Sequence, residues 1–75
     1  MNNLSLSVGA LSDKNIAMIV HAANSTEHDV VAKTSRWVVN AKSLLAMMAL
    51  SHEAQPITIE TEDAMVLDII SKIYK

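Results

Sequence analysis

Val38-Val39-Asn40-Ala41-Lys42-Ser43-Leu44-Leu45-Ala46-Met47-Met48-Ala49-Leu50 is the stretch whose reading decides the fold. Val38 and Val39 are branched at Cβ and suit the pleated surface of a strand. From Leu44 to Leu50 nearly every residue is unbranched at Cβ and a good helix former. A sharp turn must separate the two, and Asn40 or Ser43 can cap it, since each offers a side-chain oxygen to unpaired backbone N–H groups. The stretch reads as a strand end, a turn and a short apolar helix from about Ser43 to Leu50. Ser43 then lies at the positive end of the helix dipole, with Lys42 beside it. A phosphate on that hydroxyl is favoured both by the dipole and by the free amides.

Working outward, Asp29–Lys33 and Arg36–Asn40 flank Thr34-Ser35, the spacing of a β-hairpin, although Thr-Ser is weaker turn chemistry than Asn-Gly. Trp37, Val39 and Ala41 fall on one strand face, and Val38 and Asn40 on the other. Before the hairpin, Ile16, Ile19, Val20 and Ala23 recur at helical spacing. The spacing predicts a helix from Ser12 to Ala23, with Ser12 or Asp13 as N-cap and Asn24-Ser25-Thr26 ending it. Leu4, Leu6 and Val8 alternate with Ser5 and Ser7, the period of a half-buried strand. Gly9, the only glycine, closes that strand and is expected at positive φ.

Downstream, Ser51-His52-Glu53-Ala54-Gln55 reads as a loop, and Pro56 opens a last strand, Ile57–Glu60. Thr61-Glu62-Asp63 is a helix start, a capping hydroxyl followed by acids. Val66, Ile69, Ile70 and Ile73 form the apolar stripe of the final helix, and Lys72 and Lys75 suit its C-terminal end. The order β-α-β-β-α-β-α predicts a single α+β domain over residues 1–75, one sheet with helices on one face.

Composition bounds the function. Of the 75 residues 51% are apolar, yet there is no Phe, so the core must be aliphatic. No Cys is present, which removes disulfides, thiolate nucleophiles and cysteine metal sites. No apolar run reaches the roughly 18 residues that span a bilayer, and Met1-Asn2-Asn3-Leu4 lacks the basic start of a secretory signal. A cytoplasmic location without membrane association is the expectation. A net charge of −2 with six scattered basic residues argues against direct nucleic-acid binding.

The segment Val39-Asn40-Ala41-Lys42-Ser43-Leu44-Leu45-Ala46-Met47-Met48-Ala49-Leu50 resembles the regulatory serine segment of HPr, the phosphocarrier of the bacterial sugar phosphotransferase system. In low-GC Gram-positive members that segment reads roughly Val-Asn-Leu-Lys-Ser-Ile-Met-Gly-Val-Met-Ser-Leu. The resemblance implies an open-faced sandwich, a four-stranded antiparallel sheet with three helices on one face. It also implies an active loop, approximately His-Ala-Arg-Pro, at the start of the first helix. Counting back from Ser43, the matching positions are Ser12-Asp13-Lys14-Asn15, so Ser12 stands in place of the histidine and Lys14 in place of the arginine. A serine phosphoester is too inert for relay, Lys14 lacks the bidentate fork of arginine, and Asp13 repels an incoming phosphoryl group. The segment around Ser43 is retained, as in a Crh-like member that lacks the active histidine yet keeps the regulatory serine.

The resemblance therefore implies an HPr-like regulatory or adaptor protein of carbon catabolite control, not an enzyme, with Ser43 as the phosphorylation site. Its implied partners are an HPr kinase, a catabolite-control transcription factor or phosphotransferase-system components. Lys42, Leu44, Met47 and Met48 are the candidate partner-binding residues, although core packing is an equal alternative for Leu44, Met47 and Met48. Glycines usual in the family at the hairpin and after the short helix are replaced here by Ser35 or Arg36 and by Ser51, so altered turns are expected beside the serine. A non-phosphorylated interaction module, and a degenerate carrier that competes for the system's proteins, are the other readings.

Other clusters carry less. His21, His28 and His52 show no i, i+4 pairing and no cysteine, so surface histidines are expected rather than a metal site. The acids Glu60, Glu62 and Asp63 coincide with a helix start. No Gly-rich phosphate loop or nucleophile elbow is present, and no cofactor is implied. Trp37 is either a partner contact or a partly buried strand residue.

Overall fold

The computed structural model describes residues 4–9, 11–52 and 56–74. The elements are β1 (Leu4–Val8), α1 (Asp13–Ala23), β2 (Val30–Lys33), β3 (Val38–Asn40), α2 (Leu44–Ser51), β4 (Ile57–Thr61) and α3 (Ala64–Tyr74). All strand pairs are antiparallel, in the order β1-β4-β2-β3. The expected α+β fold, a four-stranded antiparallel sheet with three helices, is the fold observed.

Register explains why the sheet has one dry face. Leu6 pairs with Ile59, Ile59 with Ala32 and Ala32 with Val39, so one apolar row crosses all four strands. Val8–Ile57 and Thr61–Val30 extend that face. The alternate residues, Ser7–Thr58–Lys33–Val38 and Ser5–Glu60–Val31–Asn40, lie on the other face. Period-two side chains make this sorting automatic once the register is set. The helices close over the dry face: α1 lies against α2 and α3, α3 reaches β1 and β4, and α2 reaches β3. Ile16, Ile19, Met47, Ile59 and Ile70 fill the centre, an aliphatic core as the composition requires.

Several local expectations are corrected. The hairpin turn sits at Ser35-Arg36, not Thr34-Ser35, because the Thr34 N–H donates to the Trp37 carbonyl at 2.8 Å and Lys33 faces Val38. No described residue has positive φ, so this is not a primed turn. Instead the Thr34 hydroxyl accepts from the Arg36 and Trp37 amides at 3.3 and 3.1 Å and closes the bend. β3 consequently begins at Val38, two residues later than expected. The turn displaces pairing by two, which leaves every side chain on its expected face. Gly9 also lacks positive φ, so the conformational freedom expected of it there is not used.

At α3, Asp63 is the cap: its Oδ1 accepts from the amides of Met65 and Val66 at 3.0 and 3.3 Å. Thr61 is the last residue of β4, buried, and its hydroxyl takes the Asp63 N–H at 3.2 Å. Ile69 is 39% exposed, and Leu67 joins Val66 and Ile70 in the core in its place. Of the loop expected over 51–55, Ser51 ends α2 and His52 caps it, while 53–55 and Lys75 lie outside the described residues.

Candidate functional site

Both serines singled out by sequence sit at helix starts. Ser12 caps α1, its hydroxyl accepting from the Asn15 amide at 3.1 Å. Ser12, Asp13 and Lys14 are exposed. His21, the histidine on the same helix, is in its last turn, about 14 Å along the axis at 1.5 Å per residue. His28 Nδ1 is 3.5 Å from Glu62 Oε2, and His52 follows α2. Among the described residues no group of three metal-binding side chains gathers.

Ser43 caps α2 in the same manner, with extended backbone (φ −98°, ψ 112°) and its hydroxyl accepting from the Ala46 amide at 3.3 Å. The turn that presents it is tied on both sides. Asn40 Oδ1 accepts from the Lys42 amide at 2.9 Å, and the Asn40 carbonyl from the Ser43 amide at 3.0 Å. Asn24, the C-cap of α1, donates from Nδ2 to the carbonyls of Val20 and Lys42 at 2.9 and 3.1 Å. The end of α1 thereby holds the start of α2. Lys42 Nζ donates to the Thr26 carbonyl at 2.8 Å, so in this structure its ammonium serves the α1–β2 connection. A carbonyl leaves the positive charge uncompensated, and that charge stays one residue from Ser43.

Downstream of the cap, α2 is apolar on every side, and packing divides it. Met47 and Leu50 face inward, with Met47 0% exposed. Of the two roles open to Met47, it takes the core one. Leu44 is 45% exposed, and Met48 is half-buried against the core. Leu45, which sequence reasoning did not select, is 82% exposed. At 100° per residue Leu44, Leu45, Met48 and Ala49 share the outward side. The site is thus a capped serine hydroxyl, a neighbouring cation and an unpartnered apolar helix face.

Asp63, across the loop from Thr26, is held below the usual carboxylate value. The hydrogen bond from the Thr26 hydroxyl contributes most, partial burial opposes it, and the Val66 and Met65 amides and the His28 charge add to it. Thr26 therefore joins two loops, offering its carbonyl to Lys42 and its hydroxyl to Asp63.

No family model and no curated protein matches the chain. Solved structures do. HPr-C-His from Thermoanaerobacter tengcongensis superposes with a TM-score of 0.75 at 16% identity, over 99% of this chain and 91% of that one. The phosphocarrier protein HPr from Bacillus anthracis str. Ames superposes with a TM-score of 0.70 at 22% identity, over 99% of this chain and 95% of that one. The chain has the HPr-like fold along essentially its whole length.

Proposed function

We propose that this chain is an HPr-like regulatory or adaptor domain that does not relay phosphate through a histidine and is switched by phosphorylation of Ser43. The observation that carries this reading is Ser43 as N-cap of α2, directly before the exposed Leu44 and Leu45. An HPr kinase would transfer the γ-phosphoryl group of ATP to Ser43 Oγ. The new bond is Oγ–P, ADP leaves, and the hydroxyl proton passes to a base on the kinase. The phosphoserine brings about −1.5 to −2 charges to a helix N-terminus, where amide dipoles favour it. The α2 amides now facing the hydroxyl would bind its oxygens, and Lys42 would supply the counter-charge. The partner, by resemblance a catabolite-control transcription factor in a bacterial cytoplasm, would read that anion together with Leu44, Leu45 and Met48, Met being an adaptable contact.

Ser12 supports the negative half of the proposal. An exposed cap hydroxyl with the Asp13 carboxylate beside it can form only an inert phosphoester, not a labile P–N bond. Incubation with a Gram-positive HPr kinase and ATP, followed by intact-mass spectrometry, tests the positive half. One phosphate that is absent from Ser43→Ala is expected; an unmodified chain refutes it. A second reading, an interaction module with no phosphorylation, is favoured by the exposed leucines alone. It is separated from the first by whether phosphate changes partner binding. Capture of the phosphoenolpyruvate-dependent enzyme would instead favour the competing-carrier reading.

A further inference from the structure

We propose that the outer edge of β3 accepts an extended acidic segment of another protein as a fifth strand. β3 ends the sheet order, so one of its sides has no strand. The Ala41 N–H donates to Val30, and the Trp37 carbonyl accepts from Thr34. In an antiparallel ladder a residue points both backbone groups the same way. Trp37, Val39 and Ala41 therefore face β2, while the N–H and C=O of Val38 and the N–H of Asn40 point outward. The Asn40 carbonyl is already used by Ser43.

The side-chain surroundings select the guest. On the helix side of β3 lies a groove of about 290 Å³ lined by Trp37, Val39, Ala46, Ala49 and Leu50. On the other side Val38 is 64% exposed. From Val30 to His52 the chain carries Lys33, Arg36 and Lys42 and no carboxylate; all eight acids lie elsewhere in a chain of net charge −2. Lys33 is paired with Glu60 at 2.9 Å, whereas Arg36 has no ion pair among the described residues. A strand with apolar residues toward the groove and acids toward Arg36 satisfies both faces, the mode in which main-chain bonds give affinity and alternate side chains give specificity. A second copy fits worse. Its own β3 edge brings Arg36 and, from Val30 to His52, no carboxylate, so self-pairing supplies no acid to either copy's Arg36. The other edge, β1, is Leu-Ser-Leu-Ser-Val, with no charge to discriminate by.

The test uses a capped heptapeptide alternating Glu and Val and its Lys/Val counterpart. Trp37 is the only tryptophan, so its emission reports the groove, and the Val38 and Asn40 amide signals report the edge. The Glu/Val peptide should give a saturable change at both, binding at least about 10-fold more tightly than Lys/Val and weakening with salt. Arg36→Glu, an exposed change, should reverse that preference. Val38→Pro removes an outward N–H and no ladder bond, as an edge strand permits, and should abolish binding with the fold intact by circular dichroism. Ser43→Ala should bind the peptide unchanged, which separates this surface from the phosphorylation switch. Equal binding of both peptides, an unaltered preference in Arg36→Glu, perturbation confined to other elements, or self-association that fills the edge would each overturn the proposal.

Discussion

Met47 and Leu45 are two residues apart on one apolar helix, and truncating each should give opposite outcomes. Met47 is 0% exposed among the core residues, and Leu45 is 82% exposed. Met47→Ala loses transfer free energy and leaves a cavity, a combination that costs about 2–5 kcal/mol. A domain of this length has roughly 4–11 kcal/mol in total at 0.05–0.15 kcal/mol per residue. A loss near 3 kcal/mol lowers Tm by roughly 12–24 °C, at 4–8 °C per kcal/mol. Leu45→Ala forfeits little burial and should stay within about 0.5 kcal/mol of wild type. Urea unfolding followed by circular dichroism and by Trp37 fluorescence measures both, and coincident curves establish the two-state condition. Leu45→Ala should reduce partner binding without moving the midpoint. Comparable destabilisation by both substitutions would refute the division of α2 into core and docking sides.

Three further outcomes follow from the capping and loop bonds. Ser43→Ala and Ser12→Ala each remove an N-cap acceptor and should cost about 1 kcal/mol in urea titrations, whereas Ser43→Asp retains the cap and should lose less than Ser43→Ala. Lys42→Met breaks the bond to the Thr26 carbonyl and should cost about 0.5–1.5 kcal/mol, with faster amide exchange in the α1–β2 connection. For Asp63 the folded carboxyl titrates below its ordinary value of 3.8, chiefly through Thr26. Its contribution is therefore complete above that value and lost as pH falls through the lower folded one. Asp63→Asn should flatten this acid limb in a series of urea midpoints, and an unchanged limb would count against the Thr26–Asp63 bond.

What was legible depended on whether one periodicity governed an element. In α1 the stripe Ile16, Ile19, Val20 and Ala23 is buried throughout, and the alternation of β1 and β4 matches their paired faces. α2 was legible as a helix but not by side, since a helix apolar all round has no stripe to read; Leu45 was overlooked for that reason. In α3 both Leu67 and Ile69 were available, and only the placement of the helix over β1 and β4 chose Leu67. The hairpin moved because the Thr34 hydroxyl replaces a backbone bond, chemistry that a dipeptide turn preference omits. At the site, Ser43 as a cap followed from local sequence. Two ties did not: Lys42 to Thr26 spans 16 positions and Asn24 to Lys42 spans 18. Contacts of that separation exist only once α1 and α2 are packed together.

The most direct measurement offers both phosphoryl donors to the same chain. One sample receives phosphoenolpyruvate with the first enzyme of the phosphotransferase system, and the other receives ATP with an HPr kinase. Intact-mass spectra are recorded before and after brief acid treatment, which removes phosphohistidine and spares phosphoserine. The account predicts no modification in the first sample. In the second it predicts one acid-stable phosphate, absent from Ser43→Ala and retained in Ser12→Ala. An acid-labile phosphate from phosphoenolpyruvate, or an acid-stable one that persists in Ser43→Ala, would contradict it.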